Sequence, residues 1–202
     1  MDFRWWALLI ALSLPGMWAL VAVIVDTQHP GRMLGADAVE TLLLHFGEWG
    51  LRILLLTLVF SSLRRRSRWK SALRYRRLSG LTAFTYLSLH FFVYLALLAG
   101  FSLTEIVKDL AERTYITVGF AAWVTLLLLA VTSTNGWQRR LKRRWIYLHR
   151  LVYLAIPLGL LHLLWLTKAG YIEALTYALV YAALMLERWP ALRKHLPTPL
   201  NS

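Results

Sequence analysis

The chain has 202 residues, 58% of them hydrophobic, and a mean hydropathy of +0.53; its apolar residues gather in blocks of about 20, which excludes a water-soluble domain and identifies an integral membrane protein. There is no cysteine, which excludes disulfides, iron–sulfur clusters and thiolate-held metals and leaves His, Met, Tyr and carboxylates as ligands. The net charge of +13 lies in short connections between apolar blocks, so it reports membrane topology and not nucleic-acid binding.

The first predicted span covers about residues 5–25, after Arg4. Its apolar run is longer than the roughly 7–15 residues of a secretory signal core and no small-x-small cleavage site follows, so a retained anchor is expected. The second span, about 41–63, carries His45, Glu48 and Arg52 on one side of a helix, with Glu48 and Arg52 at the i, i+4 spacing of an ion pair. "RRRSRWKSALRYRR" follows, with eight basic residues from Arg64 to Arg77. The third span, about 78–101, has His90 in "FTYLSLHFFVY", and the next connection contains Glu105, Asp109 and Glu112. After the fourth span, about 115–133, comes "RRLKRR", with five basic residues from Arg139 to Arg144. The fifth span, about 147–167, holds His149, Pro157 and His162, and the sixth covers about 171–188.

These elements predict an all-α polytopic bundle of six transmembrane helices, with residues 1–202 as a single domain and no legible internal repeat. The two basic connections should be cytoplasmic, and those around Asp37 and Glu105 should face the other side. Arg4, together with Arg188, Arg193 and Lys194 at the other end of the chain, then places both termini in the cytoplasm.

Histidines at membrane depth are costly and need a named partner. A single one is commonly a satisfied core residue; His90, His149 and His162 on two spans of a cysteine-free chain point to ligation. A bare cation wants three or four ligands at one depth, whereas these histidines lie at different depths. A haem needs only two, and its porphyrin needs a large apolar slot of the kind spans three and five offer. With both axial positions filled by His, such a haem transfers electrons and does not activate a substrate. His149 and His162 are 13 residues apart, about 20 Å along an ideal helix and roughly 220° around it, so they share a face only if Pro157 and Gly159 kink or rewind the helix. A proton-coupled transporter using His45, Glu48, Arg52 and His90 is the rival reading, but it lacks the inverted repeat and paired broken helices common in transporters. A purely structural anchor would not need three intramembrane histidines.

"YRRLSGLTAFTYLSLHFFVYL", "RTYITVGFAAWVTLLLLAVTS" and "WIYLHRLVYLAIPLGLLHLLW" together resemble the MsrQ family, the haem-binding membrane subunits of the bacterial periplasmic methionine sulfoxide reductase system, in the ferric reductase-like transmembrane group. The resemblance runs over roughly residues 40–190 and rests on the basic loop, the order of spans and the three histidines matching together. It implies six helices in the inner membrane, haem b between the third and fifth, a flavin mononucleotide, and electron delivery to a periplasmic molybdenum-containing reductase that repairs oxidised methionine. His90 and His162 then fill the positions of an outer haem pair, and His149 an inner position that pairs with a second haem, a flavin or a propionate. Arg76, Arg77 and Arg150 become candidates for propionates or flavin phosphate, since guanidinium suits such oxyanions, with lipid phosphate contact as the alternative. The chain shows no candidate nucleophile and no glycine-rich nucleotide loop, so it reads as an electron-transfer subunit rather than the catalytic one. Its donor is then separate, either membrane quinol or a cytoplasmic flavin reductase; ferric iron or oxygen are the alternative acceptors.

Overall fold

The structure is a computed structural model and describes residues 3–67, 71–166 and 171–193, with side chains through Arg188. In hydrocarbon every backbone N–H and C=O must be satisfied within the segment, and among the described residues all regular structure is helical. In chain order the helices are α1 (Phe3–Gln28), α2 (Ala38–Ser67), α3 (Ala72–Val93), α4 (Leu103–Glu112), α5 (Thr114–Val131), α6 (Asn135–Leu141), α7 (Arg143–His149), α8 (Val152–Leu166) and α9 (Tyr171–Arg193). Five stretches are long and apolar enough to cross a membrane: α1, α2, α3 with the π-helix Tyr94–Leu98 that continues it, α5, and α7 with α8 from Arg143 to Leu166. The sixth predicted span forms as α9, 23 residues long, but Glu173, Glu187 and Arg188 leave it outside that group. The protein is an all-α, multi-pass membrane protein.

The helices α2, α3, α5 and α8 make the central bundle. α2 packs along α3 and α5 along α8; α3 meets α5 and α2 meets α8, while α1 leans on α2 and α3, and α9 on α2 and α8. Leu51, Leu54, Leu58, Ala83, Leu126 and Ile156 fill the interior, whereas Ile10, Leu20, Phe92 and Leu179 face outward. An apolar outside gives no hydrophobic drive between helices in lipid, so small residues at contacts matter. Gly50 is one: a β-carbon there would stand 2.6 Å from Leu87 Cγ.

Two prolines interrupt helices, and tyrosines from other helices repair the breaks. Pro157 cannot donate to the Tyr153 carbonyl, which instead accepts from the Tyr181 hydroxyl of α9 at 2.8 Å. In α1 the Tyr86 hydroxyl inserts after Pro15, accepting from Gly16 N–H at 2.6 Å and donating to the Leu12 carbonyl at 2.9 Å. His45 Nε2 lies 2.9 Å from the Pro15 carbonyl, and its ring packs on Trp18 with centroids 4.6 Å apart and planes tilted by 31°. His45 is therefore a staple between α1 and α2.

The connections are more helical than the sequence suggests. α2 runs on to Ser67 and α3 begins at Ala72, so most of the basic stretch extends the helices; Arg68, Lys70 and also Lys194 lie outside the described residues. Between spans three and four, Ser102 caps α4 by accepting from Glu105 N–H at 3.4 Å. The expected irregularity of the fifth span falls at Arg150–Leu151, where i→i+3 bonds such as Leu151 N–H to the Leu148 carbonyl (3.0 Å) separate α7 from α8. Pro157 stays inside α8.

Candidate functional site

His90 lies near the end of α3 and His162 near the end of α8, and the hairpin order brings both to one level, toward the end of the bundle that carries α4. Their ring centroids are 6.1 Å apart and their planes stand at 85°. Each Nδ1 meets a backbone carbonyl: His90 that of Leu43 at 2.9 Å, His162 that of Tyr115 at 2.7 Å. A carbonyl only accepts, so each Nδ1 carries the proton and each Nε2 keeps its lone pair. This second hydrogen bond orients a ligating imidazole and raises its basicity.

The two hairpins repeat one device. In both, the accepting carbonyl lies 47 residues before the histidine, and a glycine lies one helical turn after that carbonyl, Gly47 in α2 and Gly119 in α5. The glycines let the rings reach the backbone. A β-carbon on Gly47 would stand 3.1 Å from His90 Nδ1, and one on Gly119 only 2.6 Å from His162 Nδ1. The two accepting carbonyls belong to residues of different type, Leu43 and Tyr115, so the shared device rests on the backbone and the glycines.

Both rings line a cavity of about 470 Å³ between α2, α3, α5 and α8. Its walls are apolar and aromatic: Leu51, Leu54 and Leu126 on one side, and Phe91, Phe120 and Trp123 clustered on another, with Phe91 and Trp123 centroids 4.6 Å apart. Trp123 Nε1 is satisfied by donating to Ser88 Oγ at 3.1 Å. At the α4 end the lining becomes polar. Tyr94 donates to Asp109 Oδ2 at 2.9 Å, and Arg113 Nε lies 3.3 Å from Asp109 Oδ1, which holds the Arg113 guanidinium above its ordinary value. Glu48 also lines the cavity and forms the expected pair with Arg52 at 2.9 Å; Arg52 reaches Glu173 of α9 at 2.8 Å as well.

This arrangement suits a bis-imidazole metal macrocycle. Two metal–nitrogen bonds of roughly 2 Å each, with the distance from nitrogen to ring centre at either end, add to about the separation found between the centroids. The volume falls within the usual range of cofactor sites, about 300–1,000 Å³. The donor set is two neutral imidazoles with no carboxylate between them, which fits haem iron better than a hard cation.

The other candidates lie apart from this cavity. His149 stacks on Trp145 at 4.0 Å, and its Nε2 is 3.1 Å from Thr132 Oγ1. That hydroxyl spends its own proton on the Leu128 carbonyl at 2.6 Å, so His149 Nε2–H is the donor and its lone pair sits on Nδ1. Arg76 is within electrostatic reach of His149. Arg77 donates to Asn135 Oδ1 at 3.0 Å, and Arg150 lies over the Tyr147 ring at 5.0 Å. None of these four lines the cavity. Gly47, Gly119 and Arg113 do, and their side-chain types alone did not single them out.

The family model described as "Ferric reductase like transmembrane component" matches residues 46–160, more than half of the chain. The chain is 47% identical over 153 residues to the protein-methionine-sulfoxide reductase heme-binding subunit MsrQ of Xanthomonas euvesicatoria pv. vesicatoria, covering 75% of this chain and 70% of that one. To the MsrQ proteins of Herminiimonas arsenicoxydans and Caulobacter vibrioides it is 43% and 42% identical, over 77% of this chain and 72% and 74% of theirs. On both counts, the chain belongs to the MsrQ family of ferric reductase-like transmembrane proteins.

Proposed function

We propose that this protein is a b-type haem electron-transfer subunit. It takes electrons from a cytoplasmic flavin reductase or membrane quinol and delivers them across the inner membrane to a periplasmic, molybdenum-dependent methionine sulfoxide reductase. Support for this comes above all from the pair His90 and His162, with ring centroids 6.1 Å apart and each Nδ1 on a backbone carbonyl, inside one apolar cavity. His90 and His162 would hold a haem there, and it would supply one-electron transfer.

The chain's own residues do the rest. The carbonyls of Leu43 and Tyr115 lock the tautomer and raise the donor strength of each imidazole. Phe91, Phe120 and Trp123 exclude water from the slot. Arg113 lines the cavity at its α4 end and would offer a cation to a carboxylate of the cofactor; Asp109, itself bonded by Tyr94, holds it in place. The α4 end is assigned to the periplasm, where the acceptor docks, and the end bearing Arg64–Arg66 and Arg139–Arg144 to the cytoplasm, with both termini. On that donor side His149 with Arg76, Arg77 and Arg150 remains the candidate place for a second haem or for FMN. The names of the similar proteins, as heme-binding subunits of a methionine-sulfoxide reductase, support the choice of acceptor.

The experiment is stopped-flow spectroscopy of the purified, pre-reduced protein mixed with the periplasmic reductase. Haem reoxidation is expected only when methionine sulfoxide is supplied. No reoxidation would leave a haem protein with another acceptor, ferric iron or oxygen.

A further inference from the structure

At the basic end of the bundle the Arg188 side chain turns into the protein and is 1% exposed. Its Nη2 donates to the Leu58 carbonyl and to Ser62 Oγ at 3.4 Å, and its guanidinium lies over the Tyr153 ring at 5.4 Å. Its Nε and Nη1 have no hydrogen-bond partner. Arg65 Nη2 donates to the same Ser62 Oγ at 3.3 Å, so two cations converge on one neutral oxygen. Arg76 of α3 is within electrostatic reach of both Arg65 and Arg188. One turn along α3, Ser79 is 0% exposed and its Oγ also lacks a partner.

The chain supplies almost no counter-charge here. Of its ten acidic residues, all but Asp2 and Glu187 fall in residues 26–48, in residues 105–112 or at Glu173, at or toward the opposite end. Glu187 is already 3.9 Å from Arg66. A buried guanidinium with unmade hydrogen bonds is costly, and the cost disappears when an oxyanion accepts from it. Three guanidinium groups have more donors than a carboxylate can use, whereas phosphate offers more oxygens and matches their geometry.

We infer that Arg188, Arg65 and Arg76 form a binding site for the phosphate of an ester whose organic body lies against the bundle at its basic end. Such a phosphate belongs either to an anionic phospholipid of the adjoining leaflet or to a flavin nucleotide. The site shares Arg76 with the candidate place for a second haem or FMN but uses none of the residues of the His90–His162 cavity, so its failure would leave the assignment of that cavity untouched.

The test uses the full chain, purified in detergent and stripped of lipid, with its thermal midpoint followed by helix circular dichroism. Phosphatidylglycerol, FMN and inorganic phosphate are titrated separately. At least one ester should raise the midpoint saturably, and Arg188→Gln should abolish the rise while Arg32→Gln, exposed in the connection between α1 and α2 at the opposite end, keeps it. A response to phosphatidylglycerol alone identifies lipid as the source, to FMN alone a flavin, and to both a site that reads only the phosphate. If neither ester raises the midpoint, or if Arg188→Gln responds as the native chain does, the proposal is overturned. Should Arg188→Gln not fold, Arg65→Gln takes its place: a severalfold weaker response is expected, and an unchanged one overturns the site.

Discussion

Gly119 leaves no room for a side chain beside His162: a β-carbon there would stand 2.6 Å from Nδ1 and 2.9 Å from Cε1, on a ring already tied to the Tyr115 carbonyl. At the matching position in the other hairpin, Gly47 leaves 3.1 Å to His90 Nδ1, a gap that a shift of a few tenths of an ångström relieves. Gly119→Ala should therefore lose most of the bound haem, and Gly47→Ala should keep most of it. Haem content per protein in the two purified variants checks this, and the reverse order would mean that the rings are not held as described.

His149 belongs to a different local structure, stacked on Trp145 and hydrogen-bonded to Thr132. His149→Ala should leave the absorption bands of the His90–His162 centre unchanged. It should lower stability by about 1 kcal/mol through the lost hydrogen bond. A second redox centre, if His149 serves one, would show as a step missing from the reductive titration of the variant.

The proline repairs make a separate prediction about stability. Tyr181→Phe strips the Tyr153 carbonyl of the partner that replaces the Pro157 N–H, at a cost of about 1 kcal/mol in a membrane bundle. Tyr86→Phe leaves both Gly16 N–H and the Leu12 carbonyl unmade and should cost more. Thermal unfolding in one detergent ranks them: native above Tyr181→Phe above Tyr86→Phe.

Much of this was legible in the sequence, for identifiable reasons. Apolar blocks of about 20 residues locate the spans because the bilayer fixes their length, and His90 and His162 stand out because polar groups are rare at that depth. The Glu48–Arg52 pair follows from helical spacing alone. The rest depends on partners far away in the chain. Pro157 suggests a kink, yet α8 runs through it because Tyr181, on another helix, takes up the freed carbonyl. Arg188 reads as a positive charge at the membrane edge, but α9 continues past it to Arg193 and turns its side chain inward. The role of Gly47 and Gly119 is visible only once each histidine is seen against a carbonyl 47 residues earlier. His45 had a relay as one reading; its bond to the Pro15 carbonyl gives it a packing role that no local pattern encodes.

Orientation can be tested with the cysteine-free chain as background. Ser67→Cys, at the exposed end of α2, should be shielded from an impermeant thiol reagent in intact spheroplasts and react once the membrane is opened. Glu112→Cys, exposed at the end of α4, should react in both conditions. Labelling of the Ser67 variant in intact spheroplasts would invert the assigned topology and, with it, the direction of electron flow.

If His90 and His162 hold one haem between them, electron paramagnetic resonance of the oxidised protein will report it. Two imidazoles make the ferric iron low-spin, and ring planes standing at 85° give the strongly anisotropic form of that signal rather than the rhombic form of parallel rings. This signal is expected in the native protein, lost in His90→Ala and in His162→Ala, and retained in His149→Ala. A native protein without haem, or a low-spin signal that survives both single substitutions, would contradict that ligation.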